Sequence, residues 1–295
     1  MNACKNNVSK SWLGKPPGMI LVMVLLLMVR VPSATAQNNK KSVEPSTAEE
    51  LAKKKAAADK ATNEKFQLWK AKLPKEQQAW ETTLEKNLGS FYLPIYQMEK
   101  LNNRVSAWDY VKDNPKLPRV LLIGDSVSRG YTLPTRVALE NKVNLHRAPE
   151  NCGPTANGIK KLDIWLGDGK WDVIHFNFGI HDRKTSPKDY EDRLEQIIKK
   201  LNATGAKLVW ASTTPIPPNT KDGPEASAAI VEKNRIAATI MKKNMIQVND
   251  LFTFVSPHLS KVQNPMDVHF NAEGYDMLGK QVASVIEKIL KTGQP

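Results

Sequence analysis

Residues 119–123 read Arg-Val-Leu-Leu-Ile and run straight into Gly124-Asp125-Ser126. A short run with an unbroken apolar centre, ended by a glycine, describes a strand buried on both faces. Strands of that kind belong to parallel sheets covered by helices on each side. Further candidate strands follow at 143–146, 171–178, 207–213 and 245–248. Helical patterns intervene at 188–202 and 225–243, and another closes the chain at 272–290. Strands alternating with helices predict a three-layer α/β domain over residues 115–295. In such domains ligand groups collect beyond the carboxyl ends of the strands, and the chemically distinctive motifs of this chain fall there.

The first residues read as a processing signal rather than as fold. Lys5, Lys10 and Lys15 precede eleven uninterrupted apolar residues, 19–29, and a small-residue exit at Ala34-Thr35-Ala36. That order predicts a secretory signal peptide over 1–36, cleaved before Gln37, and a secreted or periplasmic protein. The apolar run is short against the roughly 20 residues of a spanning helix, so no stable membrane span is expected after cleavage. An uncleaved signal acting as a membrane anchor is the alternative. Removing 1–36 takes away Lys5, Lys10, Lys15 and Arg30 and no acid, so the formal charge falls from +13 to +9. That charge favours polyanionic glycans or anionic surfaces, with a lysine-rich solvated surface as the plain alternative. No nucleic-acid motif accompanies it. Cys4 leaves with the signal, so Cys152 is the single remaining thiol and an intrachain disulfide is excluded.

Two further segments precede the domain. Residues 37–65 are polar, with high helix propensity and almost no apolar stripe, and read as a tether or frayed helix. Residues 66–114 carry Phe66, Trp69, Leu73, Trp80, Leu84, Leu88, Phe91, Tyr92, Leu101, Val105, Trp108 and Val111 at three-to-four spacing. They predict a helical extension packed on the main domain, with breaks near Pro74 and Pro94. Its aromatics serve either as a packing face or as the lining of a sugar site.

Gly124 allows a tight turn that sets Ser126 at the start of the next helix, its hydroxyl facing a crevice and its N–H free to meet negative charge. Capping of that helix by Asp125 or Ser126 is the purely structural reading. Asp267-Val268-His269 lies far downstream. Two residues apart in an extended segment, both side chains point the same way. Asp267 can then accept the Nδ1 proton of His269 and leave Nε2 to take a proton from Ser126. Asp125, His181, Asp182, Asp267 and His269 show no recognised metal-ligand spacing, so no metal is expected.

These motifs resemble the SGNH, or GDSL-type, serine esterases and lipases. The resemblance implies a flavodoxin-like α/β/α fold with a central parallel sheet, and Ser126 as the nucleophile. The second family block centres on a glycine, placed at Gly153 in Asn151-Cys152-Gly153-Pro154-Thr155. The last block, Asp-x-x-His in most members, would set its carboxylate at Met266. Asp267-Val268-His269 is one residue tighter, and Asp267 is the expected orienter. The third block, commonly Gly-x-Asn-Asp, is Gly179-Ile180-His181-Asp182 here, with His181 in the place of the oxyanion-binding asparagine. If the segment stays extended, Asn177, Gly179 and His181 share one side, so either Asn177 or His181 can join the N–H groups of Ser126 and Gly153 in an oxyanion hole. Cys152, beside the glycine turn, is read as a packing residue.

The implied function is a serine esterase that cleaves short-chain acyl, O-acetyl first, from a polysaccharide and needs no metal or organic cofactor. Arg129, near the nucleophile, is a candidate contact for an anionic sugar or else a solvated helix residue. A lipid or small-molecule esterase is the enzymatic alternative. A noncatalytic glycan-binding protein on a degenerate SGNH domain is the other, motivated by the altered third block.

Overall fold

A computed structural model describes residues 48–292. The expected leader at 1–36 and the first part of the polar segment, 37–47, lie outside the described residues. Helices α1 (Ala48–Lys70), α2 (Lys75–Asn87) and α3 (Gly89–Leu101) come first. Most of α1 is polar and exposed, and its apolar residues enter only near its end. There Phe66 joins Leu84, Leu88, Tyr96 and Trp108 in a buried cluster of the extension's own, flanked by Trp69, Trp80, Tyr92 and Leu93. Pro74 caps the start of α2, as a residue without an N–H can. Pro94, expected at a break, instead lies inside α3. It stands in the second turn, where its missing N–H removes one helix bond, while Tyr92, Leu93 and Tyr96 around it anchor the helix to the cluster.

Five parallel strands make one sheet in the order β2-β1-β3-β4-β5: β1 (Arg119–Ile123), β2 (Asn144–Arg147), β3 (Val173–Phe176), β4 (Lys207–Ala211) and β5 (Gln247–Asn249). The register sets Leu121 beside His146 and Ile174, and Ile174 beside Leu208. Between and after the strands run α4 (Ser126–Ala138), α5 (Thr155–Leu166), α6 (Pro187–Asn202), α7 (Gly223–Lys243), α8 (Leu251–Val255), α9 (Leu259–Val262) and α10 (Ala272–Lys291). Strand alternation separates two cores. Val120, Leu122, Val173 and Val209 pack with Val127 and Tyr131 of α4 and Leu278, Val282 and Ile286 of α10. Leu121, Ile123, Ile174, Phe176, Leu208 and Trp210 pack with α5, α6 and α7. Each fully buried apolar side chain contributes roughly 1.5–3 kcal/mol, so the apolar strand runs are what fix the layers.

Two features position the chemistry. The segment between α3 and β1 lies along edge strand β2. Asn144 accepts the Asn114 N–H at 2.8 Å and donates to the carbonyls of Asn114 and Leu117 at 2.9 and 3.0 Å. Covering an edge in this way removes a pairing hazard and brings Trp108 toward the carboxyl ends of the strands. Helices α4 and α10 also approach closely. A Cβ on Gly130 would stand 2.0 Å from the Tyr275 ring, so only glycine admits that contact. This packing sets the start of α4 and the loop before α10 side by side. Among the described residues no helix is long and apolar enough to cross a bilayer.

Candidate active site

Ser126 opens α4 directly after β1. Asp125 is the cap: its Oδ1 accepts the N–H groups of Val127 at 2.9 Å and Ser128 at 3.4 Å. Capping by the preceding residue leaves the Ser126 hydroxyl for other work. His269 Nε2 lies 2.8 Å from Ser126 Oγ, and His269 Nδ1 lies 2.8 Å from Asp267 Oδ1. The segment is not the extended stretch expected. It bends, with Asp267 N–H bonded to the Asn264 carbonyl and Asn264 N–H to the His269 carbonyl at 3.2 and 2.9 Å. Met266 takes a φ of +57° just before Asp267. That turn lets a carboxylate two residues before the histidine reach Nδ1. Burial works against ionisation of Asp267, but the hydrogen bonds from His269 outweigh it and hold the carboxyl below the usual carboxylate range. Both side chains stay accessible, 38% for His269 and 46% for Asp267.

Gly153 has a φ of +67°, a conformation that disfavours side chains. Its loop is tied to the turn before Ser126 by the Cys152 N–H, which donates to the Gly124 carbonyl at 3.2 Å. Beyond β3 the chain does not stay extended, so the expected alternation fails. Ile180–Asp182 forms a 3-10 turn, which separates Asn177 from His181. Asn177 is buried, and its amide donates to the Ala211 carbonyl at 2.8 Å and Thr213 Oγ1 at 3.0 Å. Both of its hydrogens are therefore committed inside the domain. His181 is exposed at the turn. Asp182 is fully buried and accepts from Thr155 N–H and Thr155 Oγ1 at 2.8 and 2.6 Å. It thus holds the start of α5, and the Gly153 loop before it, against the turn carrying His181. Burial raises the Asp182 carboxyl above its ordinary range against those hydrogen bonds.

Arg129 does not point freely into solvent. Its guanidinium lies 5.4 Å from the Tyr92 ring and 5.6 Å from the Trp108 ring of the extension. Cys152 is fully buried, and burial pushes its thiol up to about 12, which keeps it protonated and unreactive. A cavity of about 530 Å³ lies between the extension and β2, lined by Trp80, Tyr110, His146, Trp165 and Trp171. It meets the centre only through Arg147, and neither Ser126 nor His269 lines it.

The model of the GDSL-like lipase/acylhydrolase family matches residues 122–277, from the end of β1 into α10. The chain belongs to that family. Solved structures agree in fold: a lipase/acylhydrolase from Enterococcus faecalis is 20% identical at a TM-score of 0.51, covering 59% of this chain and 97% of that one. An acetyl xylan esterase, AlAXEase, is 16% identical at 0.51, covering 57% and 99%. An acetylxylan esterase from Geobacillus stearothermophilus, crystallised as a catalytic mutant, is 14% identical at 0.50, covering 57% and 94%. The uncharacterized protein YpmR of Bacillus subtilis is 26% identical over 145 residues, 44% of this chain, which spans only 56% of that protein's length. As a GDSL-family member, the chain carries its Gly-Asp-Ser turn where a parallel sheet ends, at the position such sheets reserve for ligands.

Sequence reasoning passed over two residues that shape this centre. Asp182 was named as one acid among several and as the last residue of the third block, without a role of its own. Its capping role depends on Thr155, which lies 27 positions away in the chain. Arg147 ends β2, Asn-Leu-His-Arg, a short strand that is mostly buried although only Leu145 is apolar. A charged residue at the carboxyl end of a buried strand was the signal available.

Proposed function

We propose that this chain is a secreted serine esterase that removes short acyl groups, O-acetyl first, from a polysaccharide. The observation that carries the reading is the 2.8 Å contact of His269 Nε2 with Ser126 Oγ, backed by the 2.8 Å contact of Nδ1 with Asp267. That is the relay a serine needs to attack an ester carbonyl. Ser126 Oγ bonds to the carbonyl carbon while His269 Nε2 takes its proton. The alcohol leaves with that proton, and water deprotonated by His269 then releases the acid. The N–H groups of Ser126 and Gly153 meet the oxyanion. Exposed His181 suits the third donor better than Asn177, whose amide is already committed.

The substrate class rests on three supports. The leader predicts export, and the half-exposed base and orienter leave the centre open to a polymer approaching from outside. Two fold neighbours are acetylxylan esterases. The test is hydrolysis of aryl acetate, butyrate and octanoate by residues 37–295 beside Ser126→Ala, followed by acetate release from acetylated polysaccharides. Turnover lost in Ser126→Ala, with acetyl preferred, is expected. Octanoate preference moves the assignment to lipid esters, and no turnover on any ester or acetylated glycan removes the enzyme reading.

A further inference from the structure

Arg147 is 1% exposed, yet none of the ion pairs among the described residues involves it. A buried cation without a carboxylate is costly unless its donors are well used. Its Nη1 donates to Ser128 Oγ at 2.6 Å, and its Nη2 donates to the carbonyls of Gly124 and Asp125 at 3.0 and 2.8 Å. Its Nε is buried without a partner. Trp108 of the extension, itself fully buried, covers one side of the guanidinium at 5.8 Å. All three acceptors belong to one turn, the one that carries Ser126.

The Asp125 carbonyl and the Ser126 N–H are two ends of a single peptide group. A cation bonded to the oxygen draws electron density from the nitrogen and strengthens the N–H as a donor. The Gly124 carbonyl is polarised in the same way. Arg147 therefore adds fixed positive charge behind the donor that faces the developing oxyanion, in a dry site where such charge is weakly screened.

We propose that Arg147 is a positioning residue of the oxyanion hole, its guanidinium covered on one side by Trp108 and acting on the reaction through the Asp125–Ser126 peptide. The inference rests on the reading of Ser126 as nucleophile. It also makes the extension part of the catalytic unit rather than a spacer.

The test compares the wild-type protein with Arg147→Gln, which keeps a donor and loses the charge, and Arg147→Lys, which keeps the charge. Each is measured for kcat and KM on an aryl acetate and for inhibition by a trifluoromethyl ketone, which forms an oxyanion on Ser126. Labelling of the wild type by a fluorophosphonate is scored first. Without labelling the nucleophile reading falls, and this inference falls with it. With labelling, Arg147→Gln is expected to lose about 100-fold in kcat with KM within about threefold, and its ketone Ki to rise in proportion. Arg147→Lys is expected to retain kcat within about tenfold, with the Ki again in step. Folded variants with unchanged kcat overturn the proposal. So do equal losses in Gln and Lys that follow the melting temperature, or a fall in kcat with an unchanged Ki. If Arg147→Gln does not fold, the Lys variant decides: a loss of about 100-fold in a folded protein, or a Ki out of step with kcat, rejects it.

Discussion

In the proposed centre, the nucleophile half around Ser126 is embedded in the domain, while the base half, Asp267 and His269, stands at its surface. Asp125, Ser128 and Arg147 around Ser126 are 4%, 1% and 1% exposed. Asp267 and His269 remain 46% and 38% accessible in their side chains. The base half is held locally instead. Its loop closes through the Asn264–His269 backbone bond, Gln263 donates to the Pro215 carbonyl at 2.8 Å, and Asn271 caps α10 through the Gly274 N–H at 3.0 Å. Burial of Phe270, 3% exposed, anchors the loop from beneath. On the proposed function, the contrast teaches that the oxyanion side, where geometry must not relax, is built from the core. The proton-transfer side needs only one well-aimed ring.

The sharpest probe of that division is removal of each reacting group. Ser126→Ala and His269→Ala are each expected to cost on the order of 10⁴–10⁶-fold in kcat, with folding intact, read from ester hydrolysis and circular dichroism. A much smaller loss in His269→Ala would show that another base serves the serine and would break the pairing of the two halves. Asp267→Asn is the next largest. Because the carboxylate is partly open to water, it should cost about 100- to 1000-fold, less than for a buried orienter, with little change in melting temperature at neutral pH. A loss as large as that of Ser126→Ala would mean that the base half is as rigidly built as the nucleophile half.

Gly130→Ala tests the joint between the halves. A Cβ there collides with the Tyr275 ring, so α4 and α10 must part. The expected cost is about 1–3 kcal/mol of stability and about tenfold in kcat, the latter because small misplacements are felt in the reaction. Unaltered kcat would show that His269 follows Ser126 independently of helix packing. The smallest effect is one of pH. A depressed carboxylate contributes stability that is fully present above its unfolded value and is lost as pH falls through the lower, folded one. Any melting-temperature advantage of wild type over Asp267→Asn should therefore persist down to the ordinary carboxylate range and vanish below it. An advantage that stays constant through that acid range would show that the Asp267–His269 contact does not hold in solution.

How much of this was legible in the chain depends on how local each feature is. The apolar runs at 119–123 and 207–211 and the helix at 272–290 could be read within a residue or two, because burial on both faces or on one stripe leaves a periodic mark. The strand expected at 171–178 is only Val173–Phe176. Of its extra residues, Phe178 is apolar because it packs in the core with α6, and its carbonyl accepts from the Tyr190 hydroxyl at 2.7 Å, an end to the strand that leaves no pattern in the sequence. Pro94 misled in the same way, since the cluster around Tyr92 and Tyr96 overrides a residue that normally stops helices. The short helices α8 and α9 carry too few turns to show a period.

At the site, Ser126, Asp267, His269 and Gly153 were nameable from short motifs, since each sits in a local turn with its own residue requirements. Which of Asn177 and His181 keeps a free donor was not, because that depended on a 3-10 turn and on Thr213, 36 residues away. Arg147, Trp108 and Asp182 escaped for a related reason: each acts on a partner distant in the chain. The sequence alone therefore determined the layered fold and the residue types needed for acyl chemistry, because hydrophobic periodicity and tight turns are written in neighbouring residues. Only the tertiary structure decided which donors are free, which cation lies behind the turn that carries Ser126 and how the extension joins it, because those follow from packing between segments with no sequence relation.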